Sequence, residues 1–318
     1  MKELAIGIDI GGTNTKFGLV DKEGNSFNEG SIKTHQYEKV EDFVKDLAEE
    51  LKKIISLQKE CVIKGIGIGA PNGNYFRGTI EFAPNLSWKG IIKLADLFKN
   101  YFDYPVILTN DANAAAIGEM IYGAAKNMND FILVTLGTGL GSGFVANGEM
   151  IYGHDGFAGE LGHTVVIPDG RQCGCGRKGC LEQYASATGI VKTVIEMLEY
   201  AYSDSVLKKY KTEDITSEVI YEAAKKGDKI SMDAFDYTGK ILGLGLANAV
   251  AITSPETIIL FGGLSLAGDF IFNPTKKYME DYLLNIYKNK VKIIPSALND
   301  KNAAILGASA LVWKDVID

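Results

Sequence analysis

The chain has 318 residues, 46% of them hydrophobic and 23% charged, and carries a net charge of −7. An acidic balance with no basic run argues against nucleic acid or an anionic membrane surface as partner. The longest apolar runs fall well short of the roughly 18 residues a membrane span needs. The length passes the ~250–300 residues at which single cores stop growing, so two domains are expected.

Met1-Lys2-Glu3 leads straight into strand-like Leu4–Ile8, with no signal-peptide pattern, so a cytoplasmic location is expected. ELAIGIDI, the turn GGTNT and KFGLVD read as a hairpin, and Lys22-Glu23-Gly24-Asn25 as a second turn. Val40, Phe43, Val44, Leu47, Leu51, Ile54 and Ile55 stand at helical spacing. IKGIGIGAP and PVILTN read as strands, and DANAAAIGEM as the helix that follows. Cys61, alone in CVIKGIGIG, reads as a buried structural thiol. Strands alternating with helices imply an α/β sheet.

The pattern then restarts. FILVTLGTGLGSGFVANGEM repeats the opening order of strand, Gly/Thr turn, strand and tight turn, which predicts two related sheets. IVKTVIEMLEYAY, SEVIYEAAKKG and DAFDYTGKILGLGLANAVAIT read as helices. The strand ETIILFGG, a helix near 272–288, the strand KVKIIPSAL and the helix NAAILGASALVWKDV complete the chain. No linker appears, so the boundary should be a compact hinge near 115–125 with a return near 300. The expected division is a smaller lobe of residues 1–118 plus 301–318 and a larger lobe of residues 119–300.

Four motifs carry chemistry. In DIGGTNTK, Asp9 to Lys16, two glycines and small hydroxylated residues let backbone N–H groups approach a phosphate, and the carboxylate before the turn can hold Mg²⁺. The plainer reading is a hairpin whose turn needs glycine. LGTGLGSG (136–143) and FGGLS (261–265) are further strand-terminal glycine turns, and three of them suggest a bound nucleotide. In TNDANAAA, Asp111 stands where a strand passes into a helix. It can be a base for a substrate hydroxyl, or Asn110 or Asp111 can simply cap the helix.

The fourth is GHTVVIPDGRQCGCGRKGC, Gly162 to Cys180. His163, Cys173, Cys175 and Cys180 form a Cys₃His set, a common closed zinc site. A disulfide is disfavoured in a reducing compartment, and the CxC spacing is not a CxxC redox pair. Glu160 and Glu182 flank this knot. Most glutamates are solvated charge, but GFAGELGH is otherwise apolar and small.

DIGGTNTK, NDANAA, GELGH and CGCGRKGCLE, in this order, resemble the ROK family (repressors, open reading frames and sugar kinases). The resemblance covers nearly the whole chain. It implies the two-lobed sugar kinase/actin/Hsp70-type ATPase fold, ribonuclease H-like, with an interlobe cleft. It also implies ATP- and Mg²⁺-dependent phosphorylation of a hexose, glucose first, in cytoplasmic carbohydrate metabolism. By the resemblance, Asp111 is the base for the sugar 6-hydroxyl, and Asn85, Asn110, Glu160, His163 and Glu182 contact the sugar. Asp9, Gly11, Gly12, Thr13, Lys16, Thr138, Gly139, Gly262 and Gly263 fall in the ATP segments, and His163, Cys173, Cys175 and Cys180 in the structural zinc set. Phe261 departs from a pattern that often has a third glycine there. A homodimer or higher homo-oligomer is the family expectation. Regulators of the family carry a helix-turn-helix before the phosphate motif. Here that motif starts at residue 9, so a kinase is expected.

Overall fold

The computed structural model describes residues 1–200, 204–298 and 302–316. β1 (Lys2–Ile10) and β2 (Asn14–Val20) form the expected hairpin, and β3 (Ser26–Lys33) extends it antiparallel. α1 (Val40–Ser56) crosses over to β4 (Cys61–Gly69), which runs parallel to β1. β5 (Gly73–Asn74), β6 (Thr79–Glu81) and β7 (Ile91–Ile92) make a small antiparallel sheet. Strands this short carry no readable period, and the sequence reading has no element there. α2 (Leu94–Lys99) leads to β8 (Val106–Thr109), parallel to β4, and α3 (Asp111–Ile121) follows.

The restart is real. β9 (Phe131–Leu136), β10 (Leu140–Ala146) and β11 (Glu149–Met150) repeat the hairpin order. α4 (Ala187–Tyr200), α5 (Ser217–Lys225) and α6 (Lys229–Thr253) precede β12 (Thr257–Phe261). α7 (Asp269–Tyr282), β13 (Lys292–Pro295) and α8 (Ala303–Asp315) complete the chain. The two sheets share one strand order, β3-β2-β1-β4-β8 and β11-β10-β9-β12-β13.

Residues 1–129, 143–159 and 296–318 form one compact unit, and 130–142 with 160–295 the other. This differs from the expected division at 118/119 and 300/301. α3 runs unbroken through 118/119, and Gly118 of α3 lies against Gly307 of α8, with a Cβ at Gly118 only 2.9 Å from the Gly307 Cα. Helices this close belong to one unit, so the first unit also takes in 119–129; the Lys314–Glu149 ion pair at 2.9 Å and the stack of Tyr152 on Tyr75 at 4.0 Å bring in 143–159. The expected return near 300 lies outside the described residues. The predicted helix near 272–288 starts earlier and stops at Tyr282, because Leu283 turns extended. The C-terminal residues of the predicted helix 190–202 also lie outside the described residues. Cys61 is half-buried at the start of β4, where its thiol donates to the Gln58 carbonyl at 3.5 Å.

In the first unit β1 is covered on both faces. Leu4, Ile6 and Ile8 pack with Phe43, Leu47 and Leu51 of α1. Ala5, on the other face, packs with Val312 and Trp313 of α8. Glycines of β1 and β4 make room for α8: a Cβ at Gly67 would lie 1.9 Å from the Ala308 carbonyl oxygen, and one at Gly7 2.2 Å from that of Ile305. No side chain fits there, so α8 packs directly on the strand backbones. In the second unit Gly239 and Gly243 of α6 admit α7 at the same close range, against Pro274 and Met279. Among the described residues no helix is long and apolar enough to cross a membrane.

Candidate active site

In the first unit, strand register builds the site. Asp9 pairs with Gly69 across β1 and β4, and Gly69 with Thr109 across β4 and β8. The C-terminal ends of three parallel strands thus align, which is where α/β sheets place ligands. Asp111 follows two residues past Thr109, at the first position of α3. Its Oδ1 accepts from the Ala112 N–H at 2.9 Å. Gly69 is a spacer: a Cβ there would lie 3.7 Å from the Asp111 Cα and 3.9 Å from Asp9 Oδ1.

Both carboxyls are shifted upward. Burial, then the Asp111 charge, push Asp9 up to about 6, opposed by Lys16, its antiparallel partner on β2. Desolvation raises Asp111, although its side chain keeps solvent-accessible surface. Asn110 is the cap of α3: its Oδ1 accepts from the Asn113 N–H at 2.7 Å. That oxygen serves the helix as its N-terminal cap.

The turn after β1 is closed by Gly11 N–H donating to the Asn14 carbonyl at 3.0 Å. Gly12 lies on the Asn85 backbone, where a Cβ would come within 2.5 Å of the Asn85 oxygen. Thr13 is exposed at the tip, and its carbonyl accepts from Thr34 N–H at 2.9 Å. Asn85 is exposed on a loop anchored by buried Leu86 and by Trp88, whose Nε1 donates to the Tyr37 carbonyl at 3.1 Å.

In the second unit, Thr138 and Gly139 form the turn after β9, with Gly137 N–H donating to the Gly139 carbonyl at 3.1 Å. The start of α4 fastens this turn: Ala187 N–H donates to the Gly137 carbonyl at 2.8 Å and Thr188 Oγ1 to the Thr138 carbonyl at 2.7 Å. Gly262, at φ +98°, lies on the Leu136 backbone, and open space surrounds the Cβ position of Gly263. Glu160 and His163 share a short turn, His163 N–H donating to the Glu160 carbonyl at 3.1 Å. A Cβ at Gly162 would lie 2.1 Å from the Leu140 carbonyl, so this turn packs tightly on β10.

The Cys₃His set gathers, its donor atoms within 4.8 Å of one another. Cys175 and Cys180 sulfurs are 3.6 Å apart, and Cys173 Sγ is 3.7 Å from His163 Nδ1. Zn–S bonds of about 2.3 Å in a tetrahedron give S···S edges of about 3.8 Å. The spacing and the thiol-rich donor set therefore fit a tetrahedral metal. The backbone N–H of Arg177 lowers Cys175 to about 6, which favours a thiolate, while burial pushes Cys173 up to about 12. Glu182 touches both sides of its surroundings. Its Oε1 accepts from Cys173 Sγ at 3.0 Å, and its Oε2 lies 2.8 Å from where a Gly139 Cβ would stand.

The structure adds residues that motif reading passes over. Gly69 separates two carboxylates, and Thr188 holds the glycine turn. Arg171 ties the start of the knot to α4 through the Gln183 and Gly189 carbonyls and Glu196. The alternation in GIGIG is the signal for Gly69. Thr188 and Arg171 carry none, since their partners lie far along the chain: the Thr138 carbonyl for Thr188, and the Gln183 and Gly189 carbonyls with the Thr193 and Glu196 side chains for Arg171.

Two α/β units whose sheets share one strand order, with carboxylates at strand ends and glycine turns, define the sugar kinase/actin/Hsp70 class. The chain belongs to the ROK family, whose model matches residues 5–315. It is 35% identical to a glucokinase of Halalkalibacterium halodurans, over 96% of this chain and 94% of that one. It is 32% identical to a glucokinase of Thermotoga maritima, over 96% of each. A ROK family glucokinase from Streptomyces griseus, solved in complex with glucose and AMPPNP, superposes with a TM-score of 0.81 at 32% identity. That match covers 98% of this chain and 99% of that one.

Proposed function

We propose that this chain is an ATP-dependent hexose kinase, a glucokinase, with Asp111 as general base. The observation that carries the base assignment is Asp111 itself, a solvent-accessible carboxylate at a strand end with a raised pKa. The glucokinase relatives and the glucose–AMPPNP complex support the substrates.

Phosphoryl transfer asks for positioning, charge neutralisation and a base. In this reading Asp111 accepts the proton of the sugar 6-hydroxyl as that oxygen bonds to the γ-phosphorus. The bond from phosphorus to the β,γ-bridging oxygen breaks, and ADP leaves. Asn85, the amide nitrogen of Asn110, Glu160, His163 and Glu182 orient the sugar hydroxyls. The turns at Gly11-Gly12-Thr13, Thr138-Gly139 and Gly262-Gly263, with Lys16, hold the nucleotide. Asp9, beside a second carboxylate and before a glycine turn, suits Mg²⁺, which when bound neutralises phosphate charge. His163, Cys173, Cys175 and Cys180 would hold Zn²⁺. With Nδ1 on the sulfur side, the His163 Nε2 is free for the sugar, and the metal would fix the ring. A cytoplasmic homo-oligomer without a nucleic-acid partner completes the reading.

A coupled ADP-release assay over a hexose panel tests it, compared as kcat/KM ratios. Glucose should rank first. A preference for N-acetylmannosamine or N-acetylglucosamine would move the assignment within the family, and no turnover with any of them would refute the kinase.

A further inference from the structure

The start of α4 is tied to two places in the second unit at once. Ser186, fully buried, caps the helix: its Oγ accepts from Gly189 N–H at 3.0 Å. The same hydroxyl donates back to the Glu182 carbonyl at 2.6 Å, which fastens the segment leaving the knot. Two residues on, Thr188 Oγ1 donates to the Thr138 carbonyl at 2.7 Å, and Ala187 N–H donates to the Gly137 carbonyl at 2.8 Å. Ser186 Oγ lies 3.2 Å from Thr188 Oγ1 and backs it from the helix side.

Two successive carbonyls of the glycine turn, those of Gly137 and Thr138, are thus drawn toward α4. A trans peptide is planar, with its C=O and N–H on opposite edges. Anchoring these carbonyls therefore turns the next N–H groups, those of Thr138 and Gly139, away from the helix. Open space surrounds the Cβ position of Gly137, so side-chain packing does not hold that corner and the two carbonyl bonds do. A threonine hydroxyl has one proton. Thr188 gives it to the Thr138 carbonyl and has none left to offer a phosphate.

We infer that Thr188 is a positioning residue for the glycine turn: by holding the Thr138 carbonyl it aims the Gly139 N–H at the phosphates of the donor. The inference rests on the kinase reading, in which this turn holds the nucleotide. Hydrogen bonds to a charged acceptor are the strong ones and depend on direction, so tilting one N–H should cost about tenfold in affinity. The loss is confined to phosphorylated nucleotide, because the nucleoside brings nothing for this N–H to meet.

The test uses Thr188→Val and Thr188→Ser in the full chain, with ADP and adenosine as probes. Thr188 is exposed and both variants keep the Ser186 cap, so the fold should be retained. Valine keeps the shape and removes the hydroxyl. Thr188→Val should weaken ADP about tenfold by calorimetry and raise KM for ATP by a similar factor. KM for sugar and the adenosine inhibition constant should stay within about twofold. Thr188→Ser, which keeps the hydroxyl, should bind ADP within about twofold of wild type. In amide NMR spectra of the wild type, ADP should shift the Gly139 resonance. The inference is overturned if Thr188→Val binds ADP as the wild type does, if adenosine weakens along with ADP, or if Thr188→Ser is as weak as Thr188→Val. A wild-type Gly139 amide that ignores saturating ADP would sink the reading of this turn as a nucleotide turn, and the inference with it. A Gly139 amide that responds, beside a Thr188→Val variant of full ADP affinity, would sink only the inference.

Discussion

Asp9→Asn should make the protein more stable and much less active at neutral pH. Burial and the neighbouring Asp111 lift the Asp9 carboxyl from 3.8 to about 6. A carboxyl whose folded pKa is raised contributes stability below its unfolded pKa and loses it as pH rises through the folded one. A shift of about two units at 1.36 kcal/mol each gives a ceiling of about 3 kcal/mol for the ionised form at pH 7.5. Water reaching a partly accessible group reduces this to about 1–2 kcal/mol. The amide removes that penalty without changing shape. At about 2–4 °C per kcal/mol, ligand-free Asp9→Asn should melt about 2–8 °C above wild type at pH 7.5. Near pH 4 wild-type Asp9 is protonated in the folded state, and the difference should shrink toward zero. Scanning both proteins from pH 4 to 8 in differential calorimetry reads this directly. With Mg²⁺ and ATP the order should reverse, because the cation compensates the carboxylate it binds, and kcat of the variant should fall by about 100-fold or more. A difference in Tm that is flat across pH, or negative at pH 7.5, refutes the reasoning.

Asp111→Asn should keep sugar affinity within about threefold by calorimetry while kcat falls by about 10²–10⁴, the usual weight of a general base; near-normal turnover contradicts the assignment. Because desolvation raises Asp111 and the base works ionised, kcat/KM should fall toward acid with a midpoint above the usual 3.8; a midpoint at or below 3.8 would show the group is not the base. Cys175→Ser, or chelation, should remove one zinc per chain by elemental analysis and raise KM for sugar about 10–100-fold, with KM for ATP moving less. A protein that holds no zinc as purified would refute the metal reading. Gly139→Ala sets a Cβ 2.8 Å from Glu182 Oε2, so KM for ATP should rise about tenfold; an unchanged KM would mean the turn gives way freely.

What was legible in the sequence was whatever repeats or recurs locally. The two glycine-turn hairpins announced two sheets, and the structure gives them the same strand order. The helical spacing from Val40 to Ile55 became α1 with its buried face intact. The unit division was harder to read, because it depends on α8 lying against Gly7, Gly67 and Gly118, and no local pattern records a partner so far along the chain. Glycine at these points looks the same as glycine in a turn. Asn110 shows the same ambiguity at one residue: motif reading allowed cap or ligand, and the geometry uses its oxygen as a cap.

The cysteine knot changes most when seen in three dimensions. As a sequence it reads as an expected zinc set with two acidic neighbours, Glu160 and Glu182, that the family resemblance places at the sugar. In the fold, Glu182 has one oxygen on the Cys173 thiol and the other against Gly139 of the glycine turn after β9. Thr188 and Ala187, just downstream of Glu182, bond that same turn. The short segment leaving the knot therefore holds one wall of the glycine turn. The three cysteines and His163 fix where that segment starts, so distortion of the knot reaches the turn through packed atoms. A zinc held by all four of these residues would have no open coordination position, so in the proposed reading it would act on catalysis only by placing His163, Glu182 and the start of α4.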